Sequence, residues 1–314
     1  MVANGQANSA GAGVIHDIGY QRYDGPRLGR AQIAAALCWH SLRSAFGIRR
    51  GVKAKIVPVI AFVIMCAPAV INAVAMAINP AHARIINYDT YVGPLRTLVM
   101  LAFIAAQAPE LVARDLRSRV LPLYFARPMR RLDYPAAKYV AFTIALLAMI
   151  DIPILLLYIG TILQVHGGSQ VWAQTRAFIP GLLVGLMWAV VLAAVGLALA
   201  CVSGRRAFST GAVAIFLFMT WTLAQVLTHI AVESGPGSGP GPGPVLSASS
   251  TAHLFGLISP FTVLDGVRQW LGGTNPGVIA NPGNYGAAYG IMLVVFLAAG
   301  LAGLSFRYAR ADIA

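Results

Sequence analysis

Long apolar runs dominate the chain, separated by shorter polar breaks. A helix needs about 20 mainly apolar residues to cross a hydrocarbon core of about 30 Å. Six runs meet that requirement: 55–78, 91–108, 138–163, 177–202, 209–232 and 286–306. A backbone in lipid must satisfy its own hydrogen bonds. The runs therefore predict six transmembrane helices and an all-α membrane protein. The second run is the shortest and has Arg96 close to one end, yet the uninterrupted apolar stretch from Leu98 to Ala106 keeps it a span.

The breaks between the runs have characters of their own. Residues 1–26 are rich in Gly, Asn, Ala and Ser and read as a flexible tail. Over 27–50 a helical wheel gathers Leu28, Ala31, Ala35, Cys38, Trp39, Leu42 and Phe46 on one face. Arg30, His40, Ser41 and Ser44 fall opposite, with Ile33 and Leu37 out of place among them. Followed by Arg49, Arg50, Lys53 and Lys55, this segment predicts an amphipathic helix lying in the leaflet interface. The alternative is an ordinary amphipathic helix packed on its own protein. The rest of the chain, 51–314, forms the six-span domain.

The longest break is 233–285. It opens with the Pro-Gly run from Gly235 to Pro244, which suits neither helix nor sheet. Ser259 then stands as an N-cap with Pro260 at the first helical position. They start a short helix, too short to cross, read as re-entrant or interfacial with Trp270 near the headgroups.

Composition sharpens this picture. Hydrophobic residues make up 58% and charged residues 11% of the chain, and the mean hydropathy is +0.72. An ordinary soluble domain carries roughly 25% charged residues. The net charge of +13 would suggest nucleic acid in a soluble protein; in a polytopic one it reports topology, and no nucleic-acid partner is expected. Nineteen of the 23 Lys and Arg fall in the amino-terminal segment, the 109–137 loop with Lys138, the 203–208 loop and the tail. Only Arg84, Arg96, Arg176 and Arg268 fall on the other side. Positive-inside reasoning puts both termini in the cytoplasm of a multi-pass plasma-membrane protein. No short apolar region follows a charged start, so a cleaved signal peptide is not expected. Cys38, Cys66 and Cys201 show no metal-ligand or redox spacing and read as small core residues.

Candidate chemistry is sparse. None of Lys53, Lys55 and Lys138 sits in a GK[ST] loop, and neither HExxH nor GxSxG occurs. The chain is thus not expected to hydrolyse ATP, to be an enzyme, or to hold a metal or cofactor. Asp151 is the one clear acid inside a span; an intramembrane carboxylate invites a functional reading, and burial toward the bundle interior is an equal one. Span 5 carries Thr220, Thr222, Gln225, Thr228 and His229 among Phe216, Phe218, Met219 and Trp221. Such a mixture lines a path for a greasy substrate with a polar end, or glues helices together.

The densest charge lies between Pro109 and Lys138, with seven basic and three acidic residues pinned between two spans. In order, Glu110, Arg114, Asp115, Arg117, Leu121, Pro128, Arg130, Arg131 and Lys138 resemble the cytoplasmic loop between spans 2 and 3 of type-2 ATP-binding-cassette (ABC) exporter permeases. Where that family usually has Gly-Thr-Leu, this chain has Arg119-Val120-Leu121. The Ser259-Pro260-Phe261 element and the helix before span 1 are similar to the same family.

The resemblance implies the membrane-spanning permease subunit of an exporter. Two such permeases, identical or sister, would pair and bind two separate ATPase subunits, which would carry the ATP and Mg. A coupling helix over 110–119 would seat in the ATPase through Glu110, Arg114, Asp115, Arg117 and Arg119. An amphipathic or hydrophobic compound would leave through a cavity between the permeases, lined by Met100, Phe103 and Gln107 of span 2 and Phe216, Met219, Thr220 and Gln225 of span 5. Two other classes compete. An intramembrane lipid-modifying enzyme needs convergent acids or histidines, and the sequence offers the isolated Asp151 and His229. A passive channel or structural subunit has no use for Glu110, Asp115 and Asp133 interleaved among the cations.

Overall fold

The structure is a computed structural model. It describes residues 25, 29–48, 50–78, 87–88, 91, 93–118, 124, 129–165, 167–233, 250–272 and 282–310. The expected tail over 1–26, apart from Gly25, and the Pro-Gly run lie outside the described residues. Those described are helical, with turns between the helices and no strand among them.

Six helices are long and apolar enough to span a membrane. They are α2 (Val52–Ile78), α3 (Pro94–Arg117), α4 (Asp133–Ile162), α5 (Gly168–Ala200), α6 (Arg206–Glu233) and α9 (Gly286–Arg310). Around them stand α1 (Arg30–Ala45), α7 (Ser250–Phe255) and α8 (Pro260–Trp270). Each expected span is present. Helices α3 and α4 reach well beyond their apolar runs, into the charged segment from either side.

The spans share burial unequally. Helix α3 is the central one, with 72% of its apolar window buried, against 22% for α2 and α6 and 17% for α9. Those three present Ile60, Val63, Ile71, Ile215, Leu223 and Ile291 outward, as lipid-facing helices do. Close helix contacts are made by small residues, which let backbones approach where lipid gives no hydrophobic drive. A Cβ at Gly300 of α9 would come within 2.7 Å of the Ala194 carbonyl carbon on α5.

Helix α1 packs on α4 and α3. Its buried stripe is Leu37, Ser41 and Ala45, with Ile33, Cys38 and Leu42 partly buried, while Trp39 faces out beneath Arg43. This corrects the expected face: the residues that looked misplaced on the polar side make the contact. The i, i+4 stripe is dictated by the helices it meets, which a wheel drawn for a flat interface does not contain. The helix ends in a Schellman motif, with Ile48 N–H donating to Arg43 O at 2.9 Å and Gly47 N–H to Ser44 O at 3.0 Å. Gly47 has φ +67°, and a Cβ there would meet Ala54 O at 2.6 Å, so the turn into α2 requires glycine.

At the opposite end Ser259 caps α8 as expected: Phe261 N–H donates to its Oγ at 3.3 Å, with Pro260 at the first position. Helix α8 is buried from Pro260 to Gln269, so it is more enclosed than an interfacial helix; only Trp270 at its end is exposed. Its polar residues pair among themselves, Arg268 with Asp265 at 2.9 Å and Gln269 Nε2 donating to Asp265 Oδ2 at 3.0 Å.

Candidate functional site

The charged residues that begin or end α1, α2, α3, α4, α6 and α9 meet at one end of the bundle. Helix α3 reaches this end beyond Ala108, where Pro109 and Glu110 interrupt the apolar run, and stays helical to Arg117. The segment expected as a separate coupling helix over 110–119 is thus the end of α3 itself. The side chain of Arg114 and all of Arg119 lie outside the described residues.

Glu110 is a buried carboxylate, its side chain 2% exposed. It pairs with Arg50, from the turn before α2, and with Arg206 at the start of α6 at 3.0 Å. Removing a carboxylate from water costs several kcal/mol, and only close cations with hydrogen bonds offset that. One turn on, Asp115 pairs with Lys138 of α4 at 2.8 Å and accepts the Tyr134 hydroxyl. Tyr134 also packs against Tyr308 of α9, ring centres 5.2 Å apart. Arg307 donates through Nε to Cys201 O at 3.1 Å, tying α9 to the end of α5. On the outside, Arg30 of α1 holds Asp133 at 2.5 Å, and Asp133 also accepts from Arg130 N–H at 2.9 Å. The bond to Asp133 holds the Arg30 guanidinium above its ordinary pKa.

Ion pairs therefore join the end of α3 to α4, to α6 and to the turn before α2, while α1 is ion-paired to α4 and α9 is tied in by Tyr308 and Arg307. Between α1, this end and the start of α4 lies a cavity of about 650 Å³, lined by Trp39, Arg43, Arg50, Glu110, Asp115 and Lys138. Arg117 and Ser118, at the tip of α3, are exposed.

The expected site residues divide accordingly. Glu110 and Asp115 face inward and clamp the bundle, while Arg117 faces out. Arg50, Arg206, Lys138 and Tyr134 complete the clamp and were absent from the expected set. A signal was there: a glutamate between Pro109 and Leu111, at the end of an apolar run, implies a buried charge needing cations from elsewhere in the chain.

The expected cavity wall divides as well. On α3, Met100 and Phe103 have zero exposure and Gln107 is buried; Phe103 is stacked on Phe142. That half of the wall is core in the single chain, because these residues lie on the packed sides of the helix, while its exposed side carries Leu98 and Ala102. On α6, Phe216 and Met219 are exposed and Thr220 and Gln225 are half-buried. The Thr220 and Thr222 hydroxyls donate to carbonyls one turn back, Phe216 O at 2.7 Å and Phe218 O at 2.9 Å, so they do not bridge helices. His229 is exposed on the same helix. Asp151 lies half-buried against α5, where a Cβ at Gly185 would overlap its Oδ1. No group of three His, Cys, Asp or Glu comes together among the described residues, and the three cysteines are free thiols.

No protein-family model matches this chain, and no curated protein matches it. Function must be argued from the geometry.

Proposed function

We propose that this chain is the membrane-spanning permease subunit of an ABC exporter. Paired with a second permease, identical or sister, it moves an amphipathic or hydrophobic compound out across the plasma membrane, driven by separate ATPase subunits. The observation that carries the reading is the clamp around the end of α3. A motor working from outside the membrane needs a rigid lever that reaches from the surface into the bundle, and α3 is both the central span and the helix that projects at the charged end. Force applied at Arg117 would pass to α4 through Asp115–Lys138, and to α2 and α6 through Glu110 with Arg50 and Arg206. A two-state transition needs such a contiguous element for the motor to bias. The mixed face of α6, with half-buried Thr220 and Gln225 beside exposed Phe216 and Met219, suits one wall of a path for an amphipathic cargo. A structural subunit or a passive channel would not require the lever.

The test is co-purification in detergent with the ATPase encoded nearest to this chain, comparing Arg117→Glu with Glu110→Gln. The exposed-tip change should abolish the complex. The buried change should keep the complex while ATP turnover no longer responds to cargo. If no ATPase is retained by the unaltered chain, or if both variants behave like it, the exporter reading fails.

A further inference from the structure

The same end of the bundle carries a cationic groove that shares Arg50, Glu110 and Arg206 with the clamp and Arg117 with the tip of the lever, and extends beyond them to Lys53 and Arg205. Three adjoining recesses share Arg206. One, of about 540 Å³, lies among Arg50, Glu110, Arg117 and Arg206. A second, of about 810 Å³, lies along Arg117, Gly204, Arg205 and Arg206. The third, of about 540 Å³, lies along Arg50, Gly51, Val52 and Lys53. Five cations, Arg50, Lys53, Arg117, Arg205 and Arg206, thus line a trough that holds a single carboxylate, Glu110, already neutralised by two of them. Lys53, Arg117 and Arg205 are exposed and make no ion pair among the described residues. The amino-terminal ends of α2 and α6 both open onto the trough, adding unpaired backbone N–H groups and the positive ends of two helix dipoles.

The flank of the trough is apolar. Val52 lines it and is exposed; Ile56, one turn further on the same face of α2, is exposed too, as is Phe208 of α6 just past Arg206. These residues start two lipid-facing spans, so the trough sits at headgroup depth with hydrocarbon-facing side chains directly below it. A soluble anion would use only the cations. A phospholipid would use both layers, phosphate in the trough and acyl chains along α2 and α6. We propose that this groove is a binding site for an anionic phospholipid of the leaflet at the charged end, with preference for headgroups of more than one negative charge. Basic residues at a membrane surface each strengthen anionic-lipid binding by about fivefold.

The proposal is tested on the full chain by native mass spectrometry from detergent, with equimolar phosphatidylcholine, phosphatidylglycerol and cardiolipin. The unaltered protein should retain cardiolipin first, then phosphatidylglycerol, and phosphatidylcholine least. The double variant Lys53→Ala, Arg205→Ala removes exposed cations without ion pairs, so folding is spared, and thermal unfolding run alongside checks this. Two charges predict a loss of anionic preference on the order of twenty-five-fold. Inorganic phosphate or glycerol phosphate, added in excess, should not displace the lipid. Displacement by either would make the groove a soluble-anion site and overturn the lipid assignment. Equal retention of the three lipids by the unaltered protein, or an unchanged preference in the variant, would overturn it as well. Loss of a co-purifying acidic protein in the variant, without any lipid preference in the unaltered chain, would assign the groove to a protein partner instead.

Discussion

The Glu110 clamp makes a prediction in which the order of effects matters more than their size. Its two cations differ sharply in exposure: the Arg50 side chain is 21% exposed and that of Arg206 61%, against 2% for Glu110. Removing one partner of a fully buried pair costs about 3–5 kcal/mol, because a charge is left in low dielectric without compensation. Arg50→Ala should approach that figure without reaching it, because Arg206 still faces the carboxylate; about 2–3 kcal/mol is expected. Arg206→Ala removes an exposed partner and should cost no more than about 1 kcal/mol. Glu110→Gln deletes the buried charge together with its desolvation penalty, and both arginines can turn toward water, so about 1–2 kcal/mol is expected.

The decisive variant is the double substitution. Once Glu110 is neutral, Arg50 has no buried charge to compensate, and its loss should add little. Arg50→Ala with Glu110→Gln should be about as stable as Glu110→Gln alone, a coupling of about 2 kcal/mol. The assay is unfolding in mixed micelles by SDS titration, followed by tryptophan fluorescence and circular dichroism. If Arg206→Ala destabilises as much as Arg50→Ala, exposure does not govern the clamp. If the double substitution costs the sum of the single ones, Glu110 is not the buried charge that organises this end. Either result refutes the reasoning, and the second also removes the lever from the proposed function.

Two further outcomes follow from the packing. Gly185→Ala should lower the unfolding temperature, with a cost of about 1–3 kcal/mol from overpacking, because its Cβ would overlap Asp151 Oδ1; pairing it with Asp151→Ala should restore most of the loss. Ser259→Ala should cost about 1 kcal/mol through loss of the α8 cap, seen as faster hydrogen exchange of the Phe261 amide that now donates to Ser259 Oγ.

What was legible in the sequence follows the range of the interactions responsible. The six spans are set by local composition, since twenty apolar residues in lipid have few options besides a helix, and each run became one. The Ser259–Pro260 start of α8 is equally local: a side chain caps its own helix two residues on. The limits of α3 and α4 were not legible, because hydropathy falls in the charged segment while the helix continues. What sustains it there is Glu110 and Asp115 bonded to Arg50, Arg206, Lys138 and Tyr134, partners brought by other helices. The same non-locality misled the face of α1, where Leu37, Ser41 and Ala45 are chosen by α3 and α4, and placed Met100 and Phe103 in an expected cavity when they face the neighbouring helices. The charge pattern between Pro109 and Lys138 therefore carries two meanings at once. Acids there neutralise and fasten: Glu110 and Asp115 turn inward to do so, and Asp133 fastens α1 on the outside. Arg117 of that segment, with Arg205 and Lys53 from the neighbouring helix starts, faces outward, and it is such cations that have to meet whatever this end of the protein binds.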